Sequence, residues 1–368
     1  MRFHVLGLGP IGCLLAHHLR QTVSNHHSIT LVHKSTKYAA NAVNPSSRVL
    51  LERNSIVVPQ SGFQHETFDH KVEPTTSKTT PIESLIVCVK AHHTVNTIRA
   101  LLPRLTPDTT IVLMQNGMGI YEALIREIFR NPDRRPHFVV ASITHGAFLK
   151  DYMHVVHAGV GGIQLGVVPE HGADFEASYP HMSLADLGER TPRSDTLRHT
   201  VAALTGLAAL NVDWQSFYTI QMALRRKVVV NAVVNPLTAL MDCKNGAVLA
   251  HPSGRAICER VCLEAANVFR AQHAADLRDV RASSREHNTT FPFQLTKDAL
   301  VQEVERVAQV TANNYSSMLM DIKRGRTTEI GFMNGYLCDL GKRHNVQMPT
   351  NSLLMRLIDL RTRIPVHL

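Results

Sequence analysis

No run of this sequence approaches the roughly 18 continuous apolar residues that a membrane-spanning helix needs, so no helical membrane span and no membrane partner is expected. Strand-like sequence starts at Arg2. That leaves no room for a signal or transit peptide, and the expected setting is the cytoplasm, with mitochondrial association left open. Cysteine is sparse: Cys13, Cys88, Cys243, Cys258, Cys262 and Cys338 are scattered and form no C-x-x-C pair. This argues against a disulfide framework and fits a reducing compartment. Cys258 and Cys262 lie four apart on one helix face, and without further ligands they read as buried thiols. Many of the 22 histidines come in pairs, yet none forms H-E-x-x-H, so no metal is expected. Long basic blocks are missing too. Arg225-Arg226-Lys227 and Lys323-Arg324-Gly325-Arg326 are too short for a nucleic-acid footprint, so no nucleic acid is expected. The net charge of +9 then reads as solvated surface with a part focused on an anionic ligand. Repeats and low-complexity tracts are absent.

What is present is ordinary globular sequence, 44% hydrophobic and 19% charged. Single cores rarely grow past about 250–300 residues, so 368 residues imply two domains. The chain opens with a short strand from Arg2 to Leu6. Gly7-Leu8-Gly9-Pro10-Ile11-Gly12 follows, then a helix from Cys13 to Arg20. The pattern G-x-G-x-x-G between a strand and a helix points to a dinucleotide. Gly7 permits the tight turn, Gly9 lets the backbone approach a pyrophosphate, and Gly12 lets helix and strand pack closely. The phosphates would rest on free N–H groups at the helix N-terminus. The plainer alternative is a βα turn with incidental glycines.

A second strand runs from Ser28 to His33. A site for NAD usually carries Asp or Glu at this strand end to bond the ribose hydroxyls. Here the sequence is His33-Lys34-Ser35-Thr36-Lys37, without a carboxylate. Two lysines and two hydroxyls suit a 2′-phosphate, which argues for NADP(H), unless the lysines merely occupy an exposed loop. Val49–Val58 looks like a strand and Lys71–Pro81 like a polar loop. Further strands are expected at Ser84–Val89, Thr110–Gln115 and His137–Thr144, with a helix from Thr94 to Leu102. Lys90 and Asn116 therefore fall just past the carboxyl ends of buried strands, the edge where open α/β sheets bind ligands. Val155–Val168 suggests a hairpin and Pro169–Ser194 an insertion. Asp195–Leu210 reads as helix and Asn211–Trp214 as a last strand. Beyond Phe217 the pattern turns helical, over 218–234, 253–273, 295–320 and 327–344. The boundary is expected near 215.

Within the helical half, Lys227, Asn231 and Asn235 interrupt two valine-rich triplets at a spacing of four and four. On a helix they form one polar column in an apolar wall. Buried polar groups need partners, so the column serves a ligand, water or its own members. The alternative is a surface lysine with two locally bonded asparagines. Pro236 predicts a bend or a new element after Asn235. Thr327-Thr328-Glu329 before an apolar run resembles a helix start, which by itself accounts for a carboxylate at 329.

Assembled, these stretches resemble the ketopantoate reductase (ApbA/PanE) family. The matching segments are V-L-G-L-G-P-I-G at 5–12, V-K-A at 89–91, Q-N-G-M-G at 115–119, R-R-K-V-V-V-N-A-V-V-N-P-L-T-A at 225–239, D-C-K-N-G at 242–246, D-L-R-D at 276–279, N-Y-S-S-M-L-M-D-I at 314–322 and R-T-T-E-I-G-F-M-N-G-Y at 326–336. They are collinear and span nearly the whole chain. The resemblance implies an α/β Rossmann-type N-terminal domain over 1–216, with an insertion at about 169–194. It also implies an all-α C-terminal domain over 217–368, in the 6-phosphogluconate-dehydrogenase-like manner. The implied reaction is NADPH-dependent reduction of 2-dehydropantoate to (R)-pantoate, on the route to coenzyme A.

By the same resemblance Lys227 looks like the general acid and Glu329 like a carboxylate of the catalytic site. Asn231 and Asn235 would bond the substrate hydroxyl, Ser317 its carboxylate, and Asn116 both cofactor and substrate. Gly7, Leu8, Gly9, Pro10, Ile11, Gly12, Lys34 and Lys90 would hold the cofactor. The partner would be a small 2-oxo acid, and the assembly a monomer or homodimer. Relative to the shorter members, the chain carries insertions near 130–137, 169–194 and 281–300. Two alternatives stay open: a reductase of another 2-oxo acid in the same fold, or a non-catalytic member binding nucleotide or RNA.

Overall fold

The computed structural model describes residues 1–35, 48–67, 80–169, 195–282 and 290–364. The chain forms two units. One comprises Met1–Gln115 and Tyr121–Ile220, the other Asn116–Ile120 and Gln221–Leu368. In the first, β1 (Arg2–Leu6), α1 (Pro10–Thr22) and β2 (Ser28–His33) lead into β3 (Val49–Arg53), β4 (Ile56–Gln60) and β5 (Gln64–Thr67). Next come β6 (Ser84–Val87), α2 (Ala91–Leu101), β7 (Thr110–Leu113), α3 (Ile120–Glu127) and β8 (His137–Ile143). The unit closes with β9 (Gly146–Asp151), β10 (His154–Gly159), β11 (Ile163–Val167), α4 (Asp195–Thr205) and β12 (Val212–Trp214).

The main sheet has the order β12-β11-β8-β7-β6-β1-β2-β5. From β8 to β5 every pairing is parallel. β11 runs antiparallel to β8, and β12 parallel to β11. β6, β7 and β8 are buried at every residue. That is why they read as apolar runs and not as alternating strands. The chain leaves β1 toward β2 and later returns to its other side at β6. The carboxyl ends of β1 and β6 thus flank the switch point where such sheets bind ligands.

A smaller sheet, β4-β3-β10-β9, packs against α1. α1 is therefore covered on two sides, and Gly12 through Arg20 are all buried. Its polar side chains find backbone partners. His17 Nε2 lies 3.1 Å from the Val58 carbonyl, and the Arg20 guanidinium donates to the carbonyls of Val23, Ser24 and His27.

Two strand expectations change. Val49–Val58 is a hairpin and not one strand. Asn54 and Ser55 turn the chain with φ of 51° and 64°, the left-handed pair that tight hairpins prefer. The hairpin expected over Val155–Val168 does not form. β10 pairs with β9 and β3, whereas β11 joins the main sheet. Periodicity marks a strand but does not choose its neighbour. Most of the loop at 71–81, the insertion from 170 to 194 and residues 283–289 of the third insertion lie outside the described residues.

The second unit is helical: α5 (Phe217–Met241, whose first turn belongs to the first unit), α6 (Asn245–Ala250), α7 (Pro252–Ala282) and α8 (Lys297–Val310). α9 (Ser317–Lys323), α10 (Asn334–Arg343) and α11 (Pro349–Arg363) complete it. Its core is built on the valines of α5 with Cys258, Cys262 and Phe269 of α7, Leu337 and Leu340 of α10, and Ile358 of α11. A helix apolar on most sides belongs at the centre of its unit.

Here too the sequence expectations need amendment. α5 does not end before Pro236 but runs through it to Met241. The helix expected over 295–320 is two, and the buried Ser316 caps the second by accepting from Leu319 N at 3.2 Å. The helix expected from 327 starts only at Asn334, after one 3₁₀ turn at Ile330–Phe332. Helices α6 and α11 had no counterpart among the sequence expectations.

Candidate active site

In the first unit the cofactor features are made of backbone. Gly7 has φ of +98°, and a Cβ there would lie 2.6 Å from the Val89 nitrogen. The turn after β1 is thus pressed against the segment after β6. A Cβ on Gly12 would lie 2.0 Å from the Gly7 carbonyl oxygen. Gly9 differs: among the described residues nothing stands within 4 Å of a Cβ placed there. The open space lies at the start of α1, whose first turn contains no acidic residue and whose cap makes no side-chain bond. Pro10 occupies the first turn, where a missing N–H costs little. Among the described residues no side chain caps that turn, so its first amides suit a phosphate group. Leu8, Pro10 and Ile11 are half-buried along it.

At the end of β2, His33 is buried and already engaged. Its Nδ1 lies 2.5 Å from Tyr152 Oη and its Nε2 2.8 Å from His65 Nδ1. Burial pulls this imidazole down to about 4, so it is neutral at physiological pH. Lys34 is the exposed cation beside it. Thr36 and Lys37 lie outside the described residues. Lys90 occupies the N-cap position of α2, without a side-chain cap bond, and is half-buried.

In the second unit the features are side chains. Lys227 sits on α5, half-buried among valines. Burial pulls its ammonium down to about 8, against an opposing upward pull from the Glu329 carboxylate. Glu329 is buried at 4% exposure and stands at the N-cap position of the 3₁₀ turn, where its side chain makes no cap bond. The carboxylate at 329 does stand at a helix start, that of a 3₁₀ turn, but not as a side-chain cap. Asn231, one turn beyond Lys227, is half-buried. Asn235 is buried, and its amide donates to Met333 Sδ at 3.4 Å. The three members of the column thus share one continuous helix.

Ser316 and Ser317 divide their labour. Ser316 is buried, with Thr238 Oγ1 2.7 Å from its oxygen, and serves as the cap. Ser317 is exposed at the first turn of α9, open to a ligand.

Asn116 follows β7, as the sequence implied, but its turn belongs to the helical unit. Met118 N donates to the Phe332 carbonyl at 2.9 Å. Gly117 and Gly119 both have φ of +90°, and a Cβ on Gly117 would lie 2.5 Å from the Phe332 oxygen. Asn116 is held on the stretch that carries Glu329, a grouping that no single boundary near 216 describes. Sequence reasoning did not single out Ser316, Asn334 or Asn351, although a proline inside a helix already signals a carbonyl in need of a donor. Among the described residues no helix is long and apolar enough to cross a membrane, and no three metal-ligating side chains converge.

Comparison with known proteins agrees with this layout. Residues 3–170 match the family model described as "Ketopantoate reductase PanE/ApbA", and residues 219–362 its C-terminal counterpart. A 2-dehydropantoate 2-reductase of Vibrio cholerae serotype O1 is 30% identical over 360 residues, covering 97% of each chain. Among solved structures, D-mandelate dehydrogenase with NADH and anilino(oxo)acetate aligns at a TM-score of 0.71 with 18% identity, covering 98% of each chain. A PanE/ApbA family ketopantoate reductase from Ralstonia eutropha JMP134 aligns at 0.69 with 19% identity over the same shares. The two structures share the fold, and the relative spans the chain end to end with both halves of the family pattern in order: this protein belongs to the ketopantoate reductase PanE/ApbA family.

Proposed function

We propose that the chain reduces 2-dehydropantoate to (R)-pantoate with NADPH. The observation that carries this reading is Lys227, a half-buried ammonium drawn down to about 8 and countered by Glu329. An acid works best when its pKa lies near the working pH, and desolvation has brought this lysine there. Support comes from the Vibrio cholerae relative, whose name, 2-dehydropantoate 2-reductase, gives the same substrate and a reduction.

When bound, the reduced nicotinamide supplies the hydride that goes to the ketone carbon. Lys227 Nζ first donates a hydrogen bond to the ketone oxygen. As negative charge builds there, the ammonium stabilises it and then delivers its proton to the alkoxide. Glu329 keeps the ammonium charged against the desolvation that opposes it. Asn231 and Asn235 bond the substrate hydroxyl, and the exposed Ser317 hydroxyl donates to its carboxylate. Asn116 contacts both substrate and cofactor. The glycine turn and α1 hold the pyrophosphate, Lys90 lines the same edge, and Lys34 pairs with the 2′-phosphate, which selects NADPH over NADH. The proposed setting is the cytoplasm, as a monomer or homodimer.

The test is NADPH oxidation with 2-dehydropantoate, on wild type and Lys227→Ala in parallel. Turnover that collapses in the variant supports both the reaction and the acid. Equal turnover in the two sinks the mechanism. Tight NADPH binding without turnover in wild type points to another 2-oxo acid, because fold alone does not fix a substrate.

A further inference from the structure

α5 runs unbroken through Pro236, and that has a cost in hydrogen bonds. Proline has no N–H, so the carbonyl four residues earlier loses its helical partner. That carbonyl belongs to Ala232, five residues past Lys227 and between Asn231 and Asn235. A buried carbonyl left unpaired is unfavourable, so a donor must come from elsewhere. It comes from Asn334, whose Nδ2 donates to the Ala232 oxygen at 2.9 Å. Asn334 is fully buried.

The same Nδ2 donates to Asn351 Oδ1 at 3.1 Å. Asn351 Nδ2 in turn donates to Glu264 Oε2 at 2.8 Å. The carboxylate also accepts from the backbone N–H groups of Thr350 and Asn351, at 2.8 and 3.1 Å. These two amides lie in the first turn of α11, where a helix has no partners of its own for them. The chain has a direction. An ionised carboxylate only accepts, so Asn351 must turn its NH₂ toward Glu264 and its oxygen toward Asn334. Asn334 must then present its NH₂ to both neighbours, which fixes the donor aimed at α5.

Asn334 stands five residues after Glu329, and its neighbour Met333 accepts from Asn235. Two consecutive residues of the Glu329 stretch therefore grip α5 within one turn of each other. We propose that Asn334 is a positioning residue for proton transfer: its amide supplies the donor that Pro236 withholds from Ala232, and so holds the Lys227 helix in place against the Glu329 segment. The proline makes the helix depend on this external bond, and the bond sets how lysine and carboxylate face each other.

This inference rests on Lys227 as the acid, and its test separates the two. The variants are Asn334→Ala, Pro236→Ala and both together. Two quantities are followed: kcat with 2-dehydropantoate, and the titration of Lys227 by NMR on lysine-labelled protein without substrate. Asn334→Ala is expected to lower kcat about tenfold or more, since small misplacements of reacting groups are costly. The Lys227 titration should fall by about half a pH unit or more as the support of Glu329 weakens. Pro236→Ala alone should leave both readouts in place. In the double variant residue 236 again has an N–H for Ala232, so kcat and titration should recover most of the way.

A purely packing role would show no recovery in the double variant, and that result overturns the proposal. So does an Asn334→Ala protein with unchanged kcat and titration. If Asn334→Ala does not fold, Asn334→Ser is read in the same cycle, its hydroxyl being too short to reach Ala232. A wild type inactive on 2-dehydropantoate overturns the functional reading, and the titration cycle then decides this one.

Discussion

The two units carry their candidate groups in different materials. The first uses backbone: a turn tightened by Gly7 and Gly12, open space above Gly9, and the bare first turn of α1. What matters there is mostly which side chains are missing. The second uses side chains mounted on α5 and on the stretch around Glu329, and there the partners of each group matter. A backbone site is contiguous, so its chemistry can be read from six neighbouring residues. A side-chain site is assembled across about a hundred residues, as Asn235 and Met333 show. Its chemistry depends on burial, which no local pattern contains. Burial brings Lys227 from an ordinary lysine to an acid near 8.

The largest effect that would sharpen this contrast is in the second unit. Lys227→Met should cut turnover by about 10²–10⁴-fold, the usual worth of a positioned acid, while the protein stays folded. The folded ammonium titrates at about 8 and the free side chain at 10.5. Between these values the unfolded chain binds the extra proton, so stability rises with pH across that window. Below pH 8 the cost of burying the charge is fully present, and Lys227→Met removes it. Its melting temperature at pH 7 should equal or exceed that of wild type, and a lower one would contradict a desolvated lysine.

Next in size are the glycines. Gly12→Ala must displace backbone, and overpacking of this kind should lower the melting temperature by roughly 2–10 °C. Gly9→Ala has room for its methyl and should keep the melting temperature, yet weaken dinucleotide binding about tenfold by titration calorimetry. Equal melting losses for the two would break the claim that the space at Gly9 is reserved for a ligand.

The pH profile comes third. Reduction needs the ammonium, so kcat/KM should be level below pH 8 and fall about tenfold per pH unit above it. A profile level to pH 10 would remove Lys227 from the acid role.

The smallest effect belongs to the exposed Lys34. Lys34→Ala should raise KM for NADPH about two- to fivefold, the range of a solvent-screened ion pair, and leave KM for NADH unchanged. An equal change for both cofactors would mean that Lys34 does not read the 2′-phosphate.

Much of this molecule was legible before folding. β1, the glycine turn, β2 and β6 fall where the sequence places them, because tight turns and doubly buried strands leave strong local marks. The Lys227, Asn231, Asn235 column was legible as spacing. Other features were not. The hairpin at Asn54-Ser55 and the separation of β10 from β11 depend on which strands become neighbours. The two serines of Ser316-Ser317 are chemically alike, and only burial makes one a cap and leaves the other exposed. Most of the elements, the dinucleotide turn and the residues able to carry the chemistry are legible in the sequence, since these follow from local sterics and periodicity. Packing at long range is what carries α5 through Pro236, brings Asn334 to the carbonyl this frees, and desolvates Lys227 enough to give up a proton. Each of those depends on what distant parts of the chain bring to a group that cannot satisfy itself.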